Sequence, residues 1–452
     1  MLFFRPMSTI CHKRICLSFL TVFLFVAVVS LAAREINKNT LENGLTVITL
    51  EDHRSPLVAV QVSYRVGLGE EPPGLSGITE VCREIMTAGT KTFSHQDYSR
   101  LVQGTGGIIS SYMTFDYTQF RARFPASLLD SVLMIEADRM ANTEMSFEKL
   151  LLARENVRKS WLTTIENDFY GPAHTELLRL TFRRLQYRHP RLGWPNEVEQ
   201  LGLDDVKKYY RTYFQPANAV IVIAGDFKTE KTVARIGDLF GGIQAVPVPP
   251  RRRLTEPLSF GETRAVLPGE VGVGAILVGY RVPSVLNNDI AALRLLNRIV
   301  SGGDASRLNR ALVNETETAM RTGGNIYTLM DGGLLYFWAI LNYDVSPGDG
   351  ERQLLAEIDR LKAGPVSEAE LIMARNRQEF RDYELSRSLD NLVSRLSFLQ
   401  LERGDCRLID EITDIYTTVT VADLQRVARQ YLVPSNRTVI LVDPEFILEE
   451  DE

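Results

Sequence analysis

Histidine and cysteine are scarce in this chain, which has five histidines and four cysteines among 452 residues. No two of the histidines that follow residue 33 lie within one turn of a helix; these are His53, His95, His174 and His189. Beyond the same residue the cysteines are Cys82 and Cys406, far apart in the chain. This spacing excludes a disulfide framework and a cysteine-rich zinc site. It predicts two buried thiols, with a single bridge as the alternative.

Other absences exclude further classes of function. The chain has no low-complexity tract, and its net charge of −6 argues against nucleic acid as a main partner. The segment Ser301-Gly302-Gly303 lacks the lysine and hydroxyl residue of a phosphate-binding loop, so it predicts a helix end and a turn. A chain of 452 residues is too long for one core and suits two or three domains.

The N-terminus has the pattern of an export signal. Arg5, Lys13 and Arg14 precede residues 15–33, which carry no charge and are rich in Leu, Val and Phe. Small residues at Ser30 and Ala32 predict a cleavage site. The alternative is an uncleaved anchor, because the run is just long enough to span a bilayer. Both readings predict an exported protein of the periplasm or cell envelope, touching membrane only through residues 15–33 if they are retained.

The sequence repeats itself. Residues 58–66 read VAVQVSYRV and residues 274–282 read GAILVGYRV, with Tyr64 and Tyr280 lying 216 positions apart. A second pattern, Tyr-Xaa-Xaa-Pro-Xaa-Asn, ends at Asn218 and again at Asn436, 218 positions apart. Two patterns at nearly the same offset predict a duplicated domain of about 220 residues.

Each repeat predicts an α+β domain. Residues 220–225 and 438–443 are continuous apolar runs, typical of strands covered on both faces. Before the first run, apolar and aromatic residues recur with helical spacing at Val206, Tyr209, Tyr210, Tyr213 and Phe214. The predicted boundaries are 1–33 for the signal or anchor, 34–243 and 258–452 for the two domains, and 244–257 for the linker. Prolines stiffen this linker, and we expect its three arginines to lie in water.

Residues 71–90, EPPGLSGITEVCREIMTAGT, contain the frame of an inverted zinc motif without its ligands. The motif H-x-x-E-H places two imidazoles on one face of a helix beside a catalytic carboxylate. Here the frame reads Gly77, Glu80 and Val81 at the three motif positions, so the glutamate is present and both histidines are absent. Neither glycine nor valine has a side chain that can bind Zn²⁺.

The frame and its flanks resemble the pitrilysin/insulinase family of zinc metallopeptidases over about the whole chain after residue 34. The segments that carry the resemblance are LENGLTVITLED at 41–52, RENVRKS at 154–160, NDFYG at 167–171, YRHPRLGWP at 187–195, residues 204–227, SGGDASRL at 301–308 and residues 419–444. The resemblance implies two homologous domains, each with an antiparallel or mixed sheet and helices, forming a clamshell around a chamber.

The resemblance also assigns the third zinc ligand, a glutamate on the helix that contains RENVRKS. That position is Ser160 here, although Glu155 is present earlier on the helix. Gly77, Val81 and Ser160 thus stand at the three ligand positions, and we expect the retained Glu80 to be non-functional. Glu80 and Glu84 predict either a solvated helix face or a salt bridge. We expect no metal or other cofactor, and zinc only if this non-catalytic interpretation is wrong.

Active members of the family also supply an arginine and a tyrosine from the C-terminal half. The arginine position falls at Val313 or Asn314 and the tyrosine near Met320, so neither is present. Arg321 and Tyr327 lie close by in sequence and are candidates to substitute. Arg307 belongs to the family's Ser-Arg-Leu and is expected to be structural.

These features predict a non-catalytic subunit of the cell envelope. Its partners would be a zinc-bearing paralogue, with which it forms a heterodimer, and unfolded peptides that the pair degrades or processes. One alternative is an active metallopeptidase with an atypical metal site. The other is a stand-alone peptide-binding or scaffold protein.

Overall fold

A computed structural model describes residues 35–252, 254–257, 261–269, 272–364, 366–409, 411 and 414–445. The predicted export signal lies outside these residues. Within the described ranges, no helix combines the length and the apolar composition that are needed to cross a bilayer.

The strands are β1 (Ile36–Thr40), β2 (Thr46–Glu51), β3 (Leu57–Tyr64), β4 (Ile108–Met113), β5 (Thr118–Pro125), β6 (Ala219–Gly225), β7 (Thr263–Pro268), β8 (Ala275–Val282), β9 (Ala319–Tyr327), β10 (Gly333–Leu341) and β11 (Arg437–Asp443). The α-helices of the first half are α1 (Ile78–Thr87), α2 (His95–Gln103), α3 (Leu129–Asn142), α4 (Phe147–Trp161), α5 (Gly171–Thr181), α6 (Pro195–Gln200), α7 (Leu203–Tyr213) and α8 (Thr229–Phe240). Those of the second half are α9 (Asp289–Ser301), α10 (Pro347–Ala363), α11 (Glu368–Ser386), α12 (Leu389–Arg403) and α13 (Val421–Tyr431).

The two halves contain sheets with the same strand order. The first sheet runs β1-β2-β6-β3-β5-β4 and the second β7-β11-β8-β10-β9, so the second repeats the first without β1. In each, one pair is parallel, β2 with β6 and β7 with β11, and the other pairs are antiparallel. The predicted duplication and the mixed α+β fold are therefore confirmed.

The repeated asparagine makes the same contacts in both halves. Asn218 Nδ2 donates to the carbonyl oxygens of Tyr213 at 2.8 Å and Arg65 at 3.1 Å. Asn436 Nδ2 donates to those of Tyr431 at 2.8 Å and Arg281 at 2.9 Å. Each pair of bonds ties the end of the closing helix, α7 or α13, to the end of a central strand, β3 or β8. This shared contact is why the Pro-Xaa-Asn turn recurs.

The halves exchange one helix each. α5 packs on the second sheet, where Leu177 and Leu178 are buried with Leu277 and Ile440. α12 packs on the first sheet in the reciprocal way, and its start lies 218 positions after the start of α5. Each sheet therefore has its own half's core on one face and a helix from the other half on the opposite face.

The linker contradicts one sequence-based expectation. Arg251 does not lie in water, because its side chain is only 16% exposed. Its guanidinium contacts Asp116, donates to Tyr187 OH at 2.9 Å and pairs with Asp331 at 2.8 Å. These partners come from both halves, so Arg251 fastens the linker between them. Arg252 is exposed as expected.

Several local predictions are confirmed. Cys82 and Cys406 are free and buried. The closing helix of the first half, α7, buries Val206, Tyr209 and Tyr210. Ser301 ends α9, as the predicted helix end and turn require.

Candidate functional site

The first ligand position of the motif has no room for a side chain. Gly77 precedes α1 as its cap and has a φ of 84°, in the left-handed region that favours glycine. A Cβ on Gly77 would lie 2.7 Å from the carbonyl oxygen of Leu192 and 2.7 Å from a methyl group of Val198. A histidine at this position would therefore require the backbone or the facing loop to move.

A buried carboxyl group caps this end of α1. Glu71 accepts hydrogen bonds from the backbone N–H groups of Gly77 at 2.9 Å and Thr79 at 3.1 Å, which satisfies donors that a helix start leaves free. Burial raises the pKa of Glu71 to about 8. His189 Nδ1 lies 3.9 Å from this carboxyl, and burial lowers the pKa of His189 to about 4, so its imidazole is neutral at neutral pH.

The second ligand position lies in the hydrophobic core. Val81 has no exposed surface and belongs to the same buried cluster as Ile85 and Val157. A residue in this setting contributes apolar burial, which is stabilising, and offers nothing to a metal.

The motif glutamate is held by an arginine one turn further along α1. Arg83 donates to Glu80 through two bonds, of 3.0 Å and 2.8 Å, and also contacts the carboxylate of Glu84. A third donor, Nη1, bonds Ser111 Oγ on β4 at 2.7 Å. Glu80 is 4% exposed, so the structure favours the salt bridge over the solvated face that the sequence left open. A guanidinium cation thus lies between the two carboxylates of the motif helix.

The residue of α4 at the third ligand position is Ser160, whose carbonyl oxygen accepts hydrogen bonds from Thr163 and Thr164 of its own helix region. Ser160 is half-buried at the end of α4. The residue of α4 that contacts the cluster is Asn156, whose Nδ2 donates to Glu84 at 3.1 Å. Glu155 faces away and pairs with Arg158 at 3.0 Å. Sequence reasoning missed Asn156, although its position one turn before Ser160 on the same helix would have found it.

Zinc does not fit this arrangement. A catalytic site needs three ligands with an open coordination position, and here the three ligand positions hold a glycine, a core valine and a serine, while the motif glutamate is bound by arginine. Across the described residues, no group of three His, Cys, Asp or Glu side chains is arranged to hold a metal ion. Arg83, missed from the sequence, places a positive charge where a metal cation would have to compete with it.

An open sheet edge lies beside α1. Among the described strands, β4 pairs with β5 alone and ends the first sheet. Ser111 of β4 is within 3.2 Å of Thr87 on α1, in addition to its bond with Arg83. Such an edge has main-chain donors and acceptors that can pair with another extended chain.

The candidates of the C-terminal half lie on β9 and next to α11. Arg307 bonds Glu370 at 2.7 Å and 2.9 Å, which supports the structural role expected for it. Arg321 is exposed on β9, and Met320 beside it is also exposed. Tyr327 ends β9 and its hydroxyl lies 3.2 Å from His174 Nε2.

Two family descriptions match the sequence. "Insulinase (Peptidase family M16)" matches residues 46–192, and "Peptidase M16 inactive domain" matches residues 200–378. The chain belongs to the M16 (insulinase) peptidase family, as the motifs predicted.

The curated relatives include proteins named as active and as inactive. The zinc protease PqqE of Helicobacter pylori is 24% identical over 412 residues, covering 90% of this chain and 92% of the relative. The non-peptidase homologue YmxG of the same bacterium is 20% identical over 297 residues, covering 64% of this chain and 66% of the relative. Family membership therefore does not decide whether this chain is a peptidase.

Solved structures show the same fold. A protease from Helicobacter pylori superposes with a TM-score of 0.86 at 22% identity, covering 91% of this chain and 100% of that one. The periplasmic protease PqqL of Escherichia coli has a TM-score of 0.74 at 16% identity. The match covers 91% of this chain and 48% of PqqL.

Proposed function

We propose that this chain is a non-catalytic M16 subunit of the cell envelope, which pairs with a zinc-bearing paralogue and binds extended peptides that the paralogue cleaves. The observation that carries the proposal is the guanidinium of Arg83 between Glu80 and Glu84. The positive charge of Arg83 is paired with the carboxylate of the motif glutamate, which would otherwise be free to act as a base.

The ligand positions support the loss of metal chemistry independently of Arg83. Gly77 cannot carry a side chain without backbone movement, and Val81 is part of the core. Recovery of zinc binding would therefore need changes in packing as well as new ligands. This is a stronger obstacle than the absence of histidine alone.

Pairing of this chain with a paralogue is supported by the greater length of a related protein, PqqL. This chain matches about half of PqqL, so that protease has room in one chain for two units of this size. A separate paralogue would supply the second unit here. Large apolar side chains are exposed on α4 and α11, including Phe147, Leu152, Ile372 and Phe380, and offer surface for such a partner.

Peptide binding is supported by the edge of β4. A peptide can add to a sheet edge through main-chain hydrogen bonds, which place little demand on its sequence. β4 lies directly against α1 through Ser111, so a peptide on this edge would lie next to the degenerate motif. Export is supported by the N-terminal signal pattern and by the periplasmic relative PqqL.

The decisive experiment compares the mature chain alone with the chain co-expressed with a zinc-bearing M16 paralogue from the same genome. We expect the chain alone to lack stoichiometric zinc and chelator-sensitive hydrolysis of an unstructured peptide. We expect the two proteins to co-purify and to cleave the peptide together. Glu80→Gln should leave this shared activity unchanged, whereas the same substitution in the paralogue's motif should abolish it.

The alternatives give different results in this experiment. Near one zinc per chain with chelator-sensitive hydrolysis by the chain alone would establish an active enzyme with an atypical site. Peptide binding without co-purification of any paralogue would establish a stand-alone scaffold.

A further inference from the structure

A cavity of about 490 Å³ lies between the two halves. One wall is α5 with the loop before it, and the other is formed by β8 and β10 of the second sheet. Six aromatic side chains contribute to its lining: Phe115, Tyr170, His174, Tyr327, Tyr336 and Trp338. The volume is in the range of ligand-binding pockets, and the predominance of rings indicates an apolar or aromatic occupant.

The rings hold one another in place. His174 packs edge-on against Tyr327 and Tyr336, with ring centres 5.8 Å and 5.4 Å apart. Phe115 lies 5.3 Å from Tyr327. A ring wall that is fixed before binding loses little conformational entropy when a ligand enters.

A glycine makes room for the tryptophan. A Cβ on Gly323 of β9 would lie 2.4 Å from the Trp338 ring. The indole can therefore lie against the backbone of the neighbouring strand, where it forms a flat part of the wall. The strand pairing places Gly323 directly opposite Trp338.

The interior of the cavity is uncharged. Burial lowers the pKa of His174, so the imidazole is neutral at neutral pH, and its Nε2 pairs with the Tyr327 hydroxyl. The charged lining residues, Asp168 and Arg191, are both exposed at the solvent side. An uncharged ring would thus be less costly to bury here than an ammonium or a carboxylate.

The cavity adjoins the edge strand of the first sheet. Phe115 follows Met113, the last residue of β4, by two positions. Arg191 Nη1 also donates to the carbonyl oxygen of Met113 at 3.3 Å, which connects the cavity lining to the end of that strand. An extended peptide advances about 3.3 Å per residue, so a peptide paired with β4 reaches the cavity within a few residues of the strand end.

We propose that this cavity binds an aromatic side chain of a peptide held along β4. The inference rests on the proposed peptide binding and adds the class of side chain that is selected. The aromatic lining could also attract a cationic side chain through its ring faces, and the experiment separates these two classes.

The test uses the mature chain and fluorescently labelled decapeptides rich in Thr and Val, in which one position is Phe, Lys or Ser. The variable position is moved along the peptide, and binding is measured by anisotropy. We expect the Phe peptide to bind roughly tenfold or more tightly than the Ser peptide at one or two adjacent positions, because burial of a phenylalanine side chain contributes that much. We expect Lys to give no such gain.

Two neighbouring residues provide a matched pair of variants. Tyr170 lines the cavity, whereas Phe169 beside it is 60% exposed and outside the lining. Tyr170→Ala should reduce the preference for Phe, and Phe169→Ala should leave it unchanged. Thermal unfolding of both variants checks that they fold.

A second readout does not depend on affinity. The chain has three tryptophans, and Trp161→Phe with Trp194→Phe leaves Trp338 as the reporter. The Phe peptide should change its emission, and the Ser peptide should not. Equal binding of Phe and Ser peptides, or a preference for Lys, would overturn the aromatic pocket while leaving peptide binding intact. Binding of no peptide would overturn both proposals.

Discussion

The two halves share a strand order, but two corresponding helices bury different side chains. These helices are α1, which follows β3 in the first half, and α9, which follows β8 in the second. In the first half, α1 follows β3 and buries Glu80 with Arg83. In the second half, α9 follows β8 and buries apolar residues such as Leu293 and Leu296. Arg294 of α9 bonds neutral hydroxyl groups, those of Tyr416 at 3.1 Å and Thr328 at 2.8 Å.

This contrast shows that the fold does not require buried carboxylates at this helix. The second half maintains the same sheet with a helix whose buried residues are apolar, so the ion cluster of the first half is a local feature of α1. Buried charges lower stability unless they are paired. Arg83 is therefore the residue on which the stability of this cluster depends.

The largest expected effect comes from breaking the cluster on one side. Arg83→Met leaves Glu80 and Glu84 without their cation, and we expect a loss of about 3 kcal/mol in the free energy of unfolding, at the lower end for a buried pair because Glu84 is partly exposed. Urea unfolding measures this loss.

A neutral version of the cluster is the control for Arg83→Met. The triple variant Glu80→Gln, Arg83→Met, Glu84→Gln removes the three charges of the cluster, and it should recover most of the stability because no charge is left unpaired. If Arg83→Met is as stable as the unmodified chain, the arginine does not hold the cluster together.

A smaller loss is expected where α1 begins. Gly77→Ala introduces a Cβ at a positive φ and against Leu192, and we expect it to cost about 2.5 kcal/mol. Gly74→Ala is the matched control, since Gly74 has a φ of 81° but no atom within 4 Å of an added Cβ. It should cost about 1–2 kcal/mol by denaturant unfolding. Equal losses would mean that the loop at Leu192 moves freely and that a ligand at position 77 is sterically allowed.

The smallest effect is a dependence of stability on pH. Burial raises the pKa of Glu70 to about 7, of Glu71 to about 8 and of Glu402 to about 7. Glu70 and Glu71 precede α1, and Glu402 lies in the last turn of α12, which covers the first sheet. An acid whose pKa is raised by folding binds more protons in the folded state, so stability falls as pH rises through the folded pKa.

The melting temperature should therefore decrease from pH 6.5 to pH 8.5. This window begins at the unfolded pKa of histidine, about 6.5. It ends just above the pKa of Glu71, which is about 8. The variant Glu71→Gln should show a shallower decrease. A melting temperature that rises across this window would contradict the assignment of these buried acids.

The sequence predicted most of the fold because the signals were local. The apolar runs that became β6 and β11 and the helical spacing before Pro216 each depend on a short window of sequence. The offset between Tyr64 and Tyr280 required only that two short windows match. Such periodicities report which face of an element is buried. The buried state of Cys82 followed from the small size and apolar character of a thiol.

The contacts between distant segments were not predictable in the same way. Arg251 in the linker was expected to lie in water. It instead pairs with Asp116, which precedes it in the sequence, and with Asp331, which follows it. Asn156 reaches Glu84 only because α4 packs against α1. An apolar or charged pattern indicates that a side chain needs a partner, and the packing of the elements determines which partner is available.

The sequence by itself determined that Gly77 and Val81 carry no side chain that can bind zinc, because the capacity to donate a lone pair belongs to the side chain. It also determined the duplication, since repetition is a property of the sequence. Only the tertiary structure decided that Arg83 lies between Glu80 and Glu84, that no Cβ fits at Gly77, and that α5 and α12 exchange sheets. These features depend on shape and distance between segments far apart in the chain, which the order of residues does not state.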